Sequence, residues 1–203
     1  NLLGYASFVQ RDSLPVFSSN VPVGPYAPAA NSASVDFGTI SAGQGGRAID
    51  WGHGLTPTLG VMQGFTVCGW VNVRDLTVGF GGNRIAFALD AENGRGFDLV
   101  HLADGSLRVG INQWPDSGTG GPFSSAGKLT ADANAGAANW VFLALTYDST
   151  LTNGQAKYYF GKPDAPVALD VVRDYNRGII AASGPLTLGN FGVVAGEIGR
   201  AHV

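Results

Sequence analysis

The sequence predicts an all-β domain, two antiparallel sheets packed as a β-sandwich, and three observations carry that prediction. Segments 65–73 (FTVCGWVNV), 139–148 (NWVFLALTYD) and 184–190 (GPLTLGN) place apolar residues at alternate positions, the spacing of a strand with one face on a core. Asn93-Gly94, Asp104-Gly105 and Asn153-Gly154 stand between further strand candidates. Such dipeptides adopt the positive φ angles of hairpin turns at little cost. Gly accounts for 31 of 203 residues and charged residues for only 13%, which suits tight turns and short strands over salt-laced helices.

Taken in order, residues 1–32 hold Pro15, Pro22, Pro25 and Pro28, and proline removes ladder donors, so an edge strand and a wandering loop are expected there. A strand pair is expected at 33–40 (ASVDFGTI) and 46–52 (GRAIDWG). In 65–73, Phe65, Val67, Val71 and Val73 should share one face and Thr66, Cys68, Trp70 and Asn72 the other. The Gly and Asn turns then predict hairpins of 84–90 with 96–103, of that strand with 106–112, and of 139–148 with 155–161. Residues 113–139 form a long connection with five glycines, in which 128–137 could make a helical turn. Long connections inside compact domains tend to be functional or mobile. Trp70 and Trp140 are expected in the core, as is Cys68 as an inert small residue. As the sole cysteine, Cys68 can form no internal disulfide.

At 203 residues the chain suits one domain, expected over 1–196, large enough to bury about 70% of its unfolded surface. A net charge of −3 and the absence of basic runs exclude a nucleic-acid footprint. No apolar run reaches the ~18 residues of a helical membrane span, so no membrane insertion is expected. Residues 197–203 back-translate to a common short-read sequencing adapter and are expected to be read-through, not natural protein.

The strands at 65–73, 139–148 and 184–190, in that order, resemble the laminin G-like, concanavalin A-like jelly-roll family. There the corresponding segments read "FTVSAWV", "WHHVALTYD" and "LRIG". The resemblance spans roughly residues 30–192 and implies a jelly-roll sandwich that usually serves in binding or adhesion. The family closes with a strand of the type "F-x-G-x-I-D-E-V-R-I", whereas this chain runs from Asn190-Phe191-Gly192 into Val193-Val194-Ala195-Gly196. The last strand is therefore expected to be missing, from a chain whose parent carries other domains.

Catalytic motifs are scarce. The E-x-D-x-x-E run of laminarinase-like jelly rolls, which supplies the two carboxylates of glycoside hydrolysis, does not occur. The run from Gly121 to Lys128 has one residue too many for a phosphate loop, and Leu129 stands where Ser or Thr must meet Mg²⁺. No G-x-S-x-G elbow occurs, and His53, His101 and His202 lie in unrelated contexts. Calcium is the one cofactor the sequence suggests. Asp90, Glu92 and Asn93 with Asp98 offer hard oxygens at a turn, as does Asp148-Ser149-Thr150 beside Asn153, although at both places a solvated hairpin turn is the leading explanation.

Sugar binding needs an aromatic face beside polar groups. Trp114 qualifies, between Gln113 and Asp116 at the root of the long connection, where it would either stack on a sugar or pin the loop. Tyr175 and Arg177 form a second polar-aromatic cluster. The sequence thus points to a non-catalytic recognition or adhesion module, extracellular or at a bacterial cell surface, with a polysaccharide or a surface protein as partner. A jelly-roll glycoside hydrolase or lyase, and a structural spacer, are the alternatives.

Overall fold

The computed structural model describes residues 17–18, 24–27, 34–35, 48–51, 60–76, 84–90, 95–112, 123–134, 136–182 and 186–189. Among these the fold is all-β, with a single 3-10 turn at Ala137–Asn139. Fourteen strands are described: β1 (Phe17–Ser18), β2 (Ser34–Val35), β3 (Ala48–Trp51), β4 (Gly60–Met62), β5 (Gly64–Val71), β6 (Arg84–Asp90), β7 (Arg95–His101), β8 (Ser106–Ile111), β9 (Ser124–Lys128), β10 (Val141–Asp148), β11 (Ala156–Lys162), β12 (Ala165–Arg173), β13 (Ile180–Ala182) and β14 (Leu186–Gly189). Every ladder between them is antiparallel. A four-stranded sheet runs β12-β11-β10-β5 and a six-stranded sheet β3-β14-β6-β7-β8-β9. Two-stranded pieces β1-β2 and β4-β13 complete the set.

The two large sheets bury their facing residues against each other. From one come Val67, Val71, Val141, Leu143, Leu145 and Tyr158; from the other come Ala86, Ala88, Phe97, Leu99, Leu107, Val109 and Ile111. Phe65 stacks on Phe97 across this core, centroids 4.3 Å apart. Phe65, Val67, Val71 and Val73 pack on the core as the alternation predicts. The three hairpins also form where predicted: β6 pairs β7, β7 pairs β8 and β10 pairs β11. Gly105 at φ 83° and Gly154 at φ 67° occupy the left-handed positions that the turn dipeptides call for.

Several expectations need correction. The described partner of 34–35 is β1, and that of 48–51 is β14, so these segments are not described as one hairpin. Alternation shows that a strand exists without naming its neighbour. Cys68 is exposed, and Trp70 is only half-buried, its ring edge-on to Phe142 at 5.6 Å on the outer face of the four-stranded sheet. An antiparallel sheet can leave one face to solvent, and a Trp at an outward position lies on that face. Trp140 is buried, at 7% exposure, but lies just before β10 and outside the central cluster. The expected connection 113–139 contains a strand, β9, which Lys128 ends. Beyond it Ala131 bridges Val73 in parallel, residues 133–134 turn on the Asp132 carboxylate, and the helical turn falls later than expected, at Ala137–Asn139. The stretch from 190 onward, where a closing strand would fall and the adapter-like tail sits, lies outside the described residues.

Buried tyrosines complete the ladder. β9 pairs with β8 only as far as Arg108. Beyond it the N–H of Val109 donates to the Tyr158 hydroxyl at 3.1 Å, and that of Ile111 to the Tyr175 hydroxyl at 3.3 Å. The Tyr158 hydroxyl in turn donates to the Phe123 carbonyl at 2.8 Å. Buried main-chain donors are rarely left unpaired, and here side chains stand in for a strand.

Candidate functional site

One of the sequence-predicted clusters, Tyr175 with Arg177, lies beside the end of β8 at one rim of the six-stranded sheet. Asn112 ends β8 with φ at 53°, a left-handed conformation that asparagine tolerates better than most residues. Its side chain is fully used. Nδ2 donates to the Arg177 carbonyl at 3.0 Å and to the Ile179 carbonyl at 2.7 Å, while Oδ1 accepts from Gly96 and Ala181 N–H, each at 3.3 Å. Asn112 is thereby held against residues 177–181, more than sixty positions later in the chain. Asn176, Arg177, Gly178 and Ile179 are all exposed, Ile179 at 52%. On the neighbouring β4–β13 ladder, Val61 opposite Ala181 is 76% exposed. This rim combines apolar and polar groups on a rigid base.

Tyr175 proves to be a core residue rather than a surface aromatic. It is 1% exposed, edge-on to Tyr147 at 6.5 Å and tilted on Phe123 at 4.7 Å. Its main-chain N–H donates to Gln155 Oε1 at 2.8 Å. Arg177 covers its outer side, the guanidinium carbon 5.2 Å from the ring centre. The Arg177 N–H also donates to the Tyr147 hydroxyl at 3.0 Å, which itself donates to the Gly178 carbonyl. Burial raises the Tyr147 hydroxyl's pKa, so it stays protonated and can keep donating. Trp114, Gln113 and Asp116 lie outside the described residues.

The calcium expectation divides. Glu92 and Asn93 lie outside the described residues, and Asp90 ends β6 opposite Arg95. Asp98 sits three positions down the ladder from that hairpin end, opposite Phe87, roughly 10 Å away at strand rise. It is fully buried, and its Oδ2 accepts from Arg84 Nε at 3.1 Å while Oδ1 makes no hydrogen bond. Burial lifts its pKa to about 6, against the opposing charge and hydrogen bond of Arg84. Asp98 is therefore an interior ion-pair partner and not a rim oxygen. Asp148 serves its own turn: Oδ1 accepts from Thr150 N–H at 2.9 Å and from Thr150 Oγ1 at 2.6 Å, and these bonds lower its pKa. Among the described residues no group of three or more His, Cys, Asp or Glu side chains comes together as a metal site.

A second surface escaped the sequence reading. Register places Trp70, Phe142 and Gly161 in one row on the outer face of the four-stranded sheet, Cys68, Ala144, Tyr159 and Leu169 in the next, and Thr66, Thr146, Lys157 and Val172 in a third. Leu169 is 53% exposed and Val172 44%. Recognising β12 as a strand would have exposed this pattern. Its bulges, opposite Tyr158/Tyr159 and Phe160/Lys162 of β11, break the alternation that marks strands.

No protein family, curated protein or solved structure was found to match the chain.

Proposed function

We propose that the chain is a non-catalytic recognition or adhesion module, a jelly-roll sandwich of the laminin G-like kind, that binds a glycan or a protein at an extracellular or bacterial surface. The observation that carries this reading is the Asn112 anchor. It ties Asn112, two residues before Trp114 in the sequence, to the exposed run 176–179, so that Arg177 and Ile179 stand on a hydrogen-bonded base. Loops held by a scaffold are where binding residues concentrate. Trp114, Gln113, Asp116 and Arg177 would meet the ligand, with Tyr175 supporting Arg177 from below.

The test is a glycan and surface-protein array probed with the intact chain, followed by titration of Trp114→Ala and Arg177→Ala against the best hit. Both should weaken binding at least tenfold while thermal melts stay within a few degrees. Binding unchanged in both variants would remove the rim from the proposal. Cleavage of a glycan in place of binding would support a jelly-roll hydrolase or lyase, and no hit at all would support a spacer.

A further inference from the structure

The outermost strands of the two large sheets, β9 and β12, lie against each other along one side of the fold. β9 is irregular there. Its register with β8 shifts between Ser106 and Arg108, and the Leu107 N–H donates to Ser125 Oγ at 2.8 Å instead of to a main-chain oxygen. That hydroxyl donates onward to the Gly127 carbonyl at 2.7 Å. Successive N–H groups of a flat strand point to opposite sides. In β9 both Ala126 and Gly127 direct theirs at one carboxylate on β12, Ala126 to Asp170 Oδ2 and Gly127 to Oδ1, each at 2.8 Å. Three residues further on, Arg173 Nε donates to the Ser124 carbonyl at 2.8 Å. The fit is close. A Cβ at position 127 would lie 2.9 Å from the Phe160 ring and 3.2 Å from Asp170 Oδ1, so glycine is what lets the carboxylate reach the backbone.

We propose that Asp170 and Arg173 form an edge latch that keeps a second copy of this chain from adding a strand to β9. A sheet edge offers a row of donors and acceptors that templates pairing with another strand. Here a carboxylate and a guanidinium occupy those outward positions with charge-assisted bonds, which a neutral incoming strand replaces poorly. The bulge adds to the effect by taking two N–H groups out of ladder register. A second copy is the partner in view because β9, Ser124-Ser125-Ala126-Gly127-Lys128, carries a single charge and could pair with its own image.

Amide hydrogen exchange and sedimentation velocity on the full chain and on Asp170→Ala test this. Exchange should quicken at least tenfold at Ala126 and Gly127 while Val109 and Leu145 keep their protection, and the average mass should rise with concentration only in the variant. Gly127→Ala, which keeps the carboxylate but crowds it off the backbone, should do the same. If Asp170→Ala does not fold, Asp170→Asn gives the reading, losing protection at one of the two amides. Unchanged protection in the folded variants overturns the latch. Lost protection with a mass equal to that of the unsubstituted chain at every concentration overturns its guarding role.

Discussion

Replacing Asp98 by Asn should change how stability depends on pH, with a sign fixed by burial. Asp98 is wholly enclosed in β7, with one oxygen on Arg84 and the other without a hydrogen bond. Its pKa rises from 3.8 to about 6 because the charged form is stripped of water and Arg84 restores only part of the loss. The native state therefore holds this proton more tightly than the unfolded chain does. The resulting stabilisation is complete below about pH 4 and disappears as pH rises through about 6, on the order of 3 kcal/mol in full and roughly 2 kcal/mol between pH 4.5 and 7.5. His101 acts in the opposite direction. Burial lowers its pKa, against the backbone bond to Leu102 and the charge of Asp75, so its contribution is present above about 6.5 and lost on acidification. The pH profile of the unsubstituted chain mixes the two, and the difference between it and Asp98→Asn isolates Asp98. Urea unfolding followed by tryptophan fluorescence at pH 4.5, 6 and 7.5 gives that difference. It should move in the variant's favour by about 2 kcal/mol from the lowest pH to the highest. Parallel curves for the two proteins would refute the reasoning, because they would mean that folding leaves the Asp98 proton affinity unchanged.

Trp140→Ala removes a large side chain that is 7% exposed, and should cost about 3 kcal/mol in denaturant melts, a loss below about 1 kcal/mol showing that the ring is not packed. Tyr158→Phe leaves the Val109 N–H and the Phe123 carbonyl without their buried partner, and should cost about 2–4 kcal/mol by urea unfolding at almost unchanged side-chain volume.

What could be read from the sequence follows the physics of each signal. Alternation reports which residues of a segment share a face, and so Phe65, Val67, Val71 and Val73 were legible as one face of 65–73. Which face turns inward was not, since Trp70 and Cys68 on the other were expected in the core as well. Turn dipeptides report local φ preference, so hairpins closed through Gly105 and Gly154 were legible too. Neither signal reaches across the chain. The pairing of β3 with β14 joins residues more than a hundred positions apart, and nothing local in Ala48–Trp51 names Leu186–Gly189 as its partner. Bulges hide strands by a different route. In β9 a serine hydroxyl replaces a ladder acceptor, and in β12 two register shifts put Val167, Ala168 and Leu169 all at exposed positions, so the period of 2 is lost where the strand is still paired. Tyr175 failed as a surface candidate for a related reason. Its neighbours Asp174, Asn176 and Arg177 are exposed and polar, which makes the segment look like loop surface. Yet the ring is drawn inward because its hydroxyl receives the Ile111 N–H and its main-chain N–H finds Gln155. A polar neighbourhood in sequence describes the company a residue keeps along the chain. Whether its own ring faces water is decided by the unpaired main-chain donor that awaits it on another strand, and that donor lies 64 residues away.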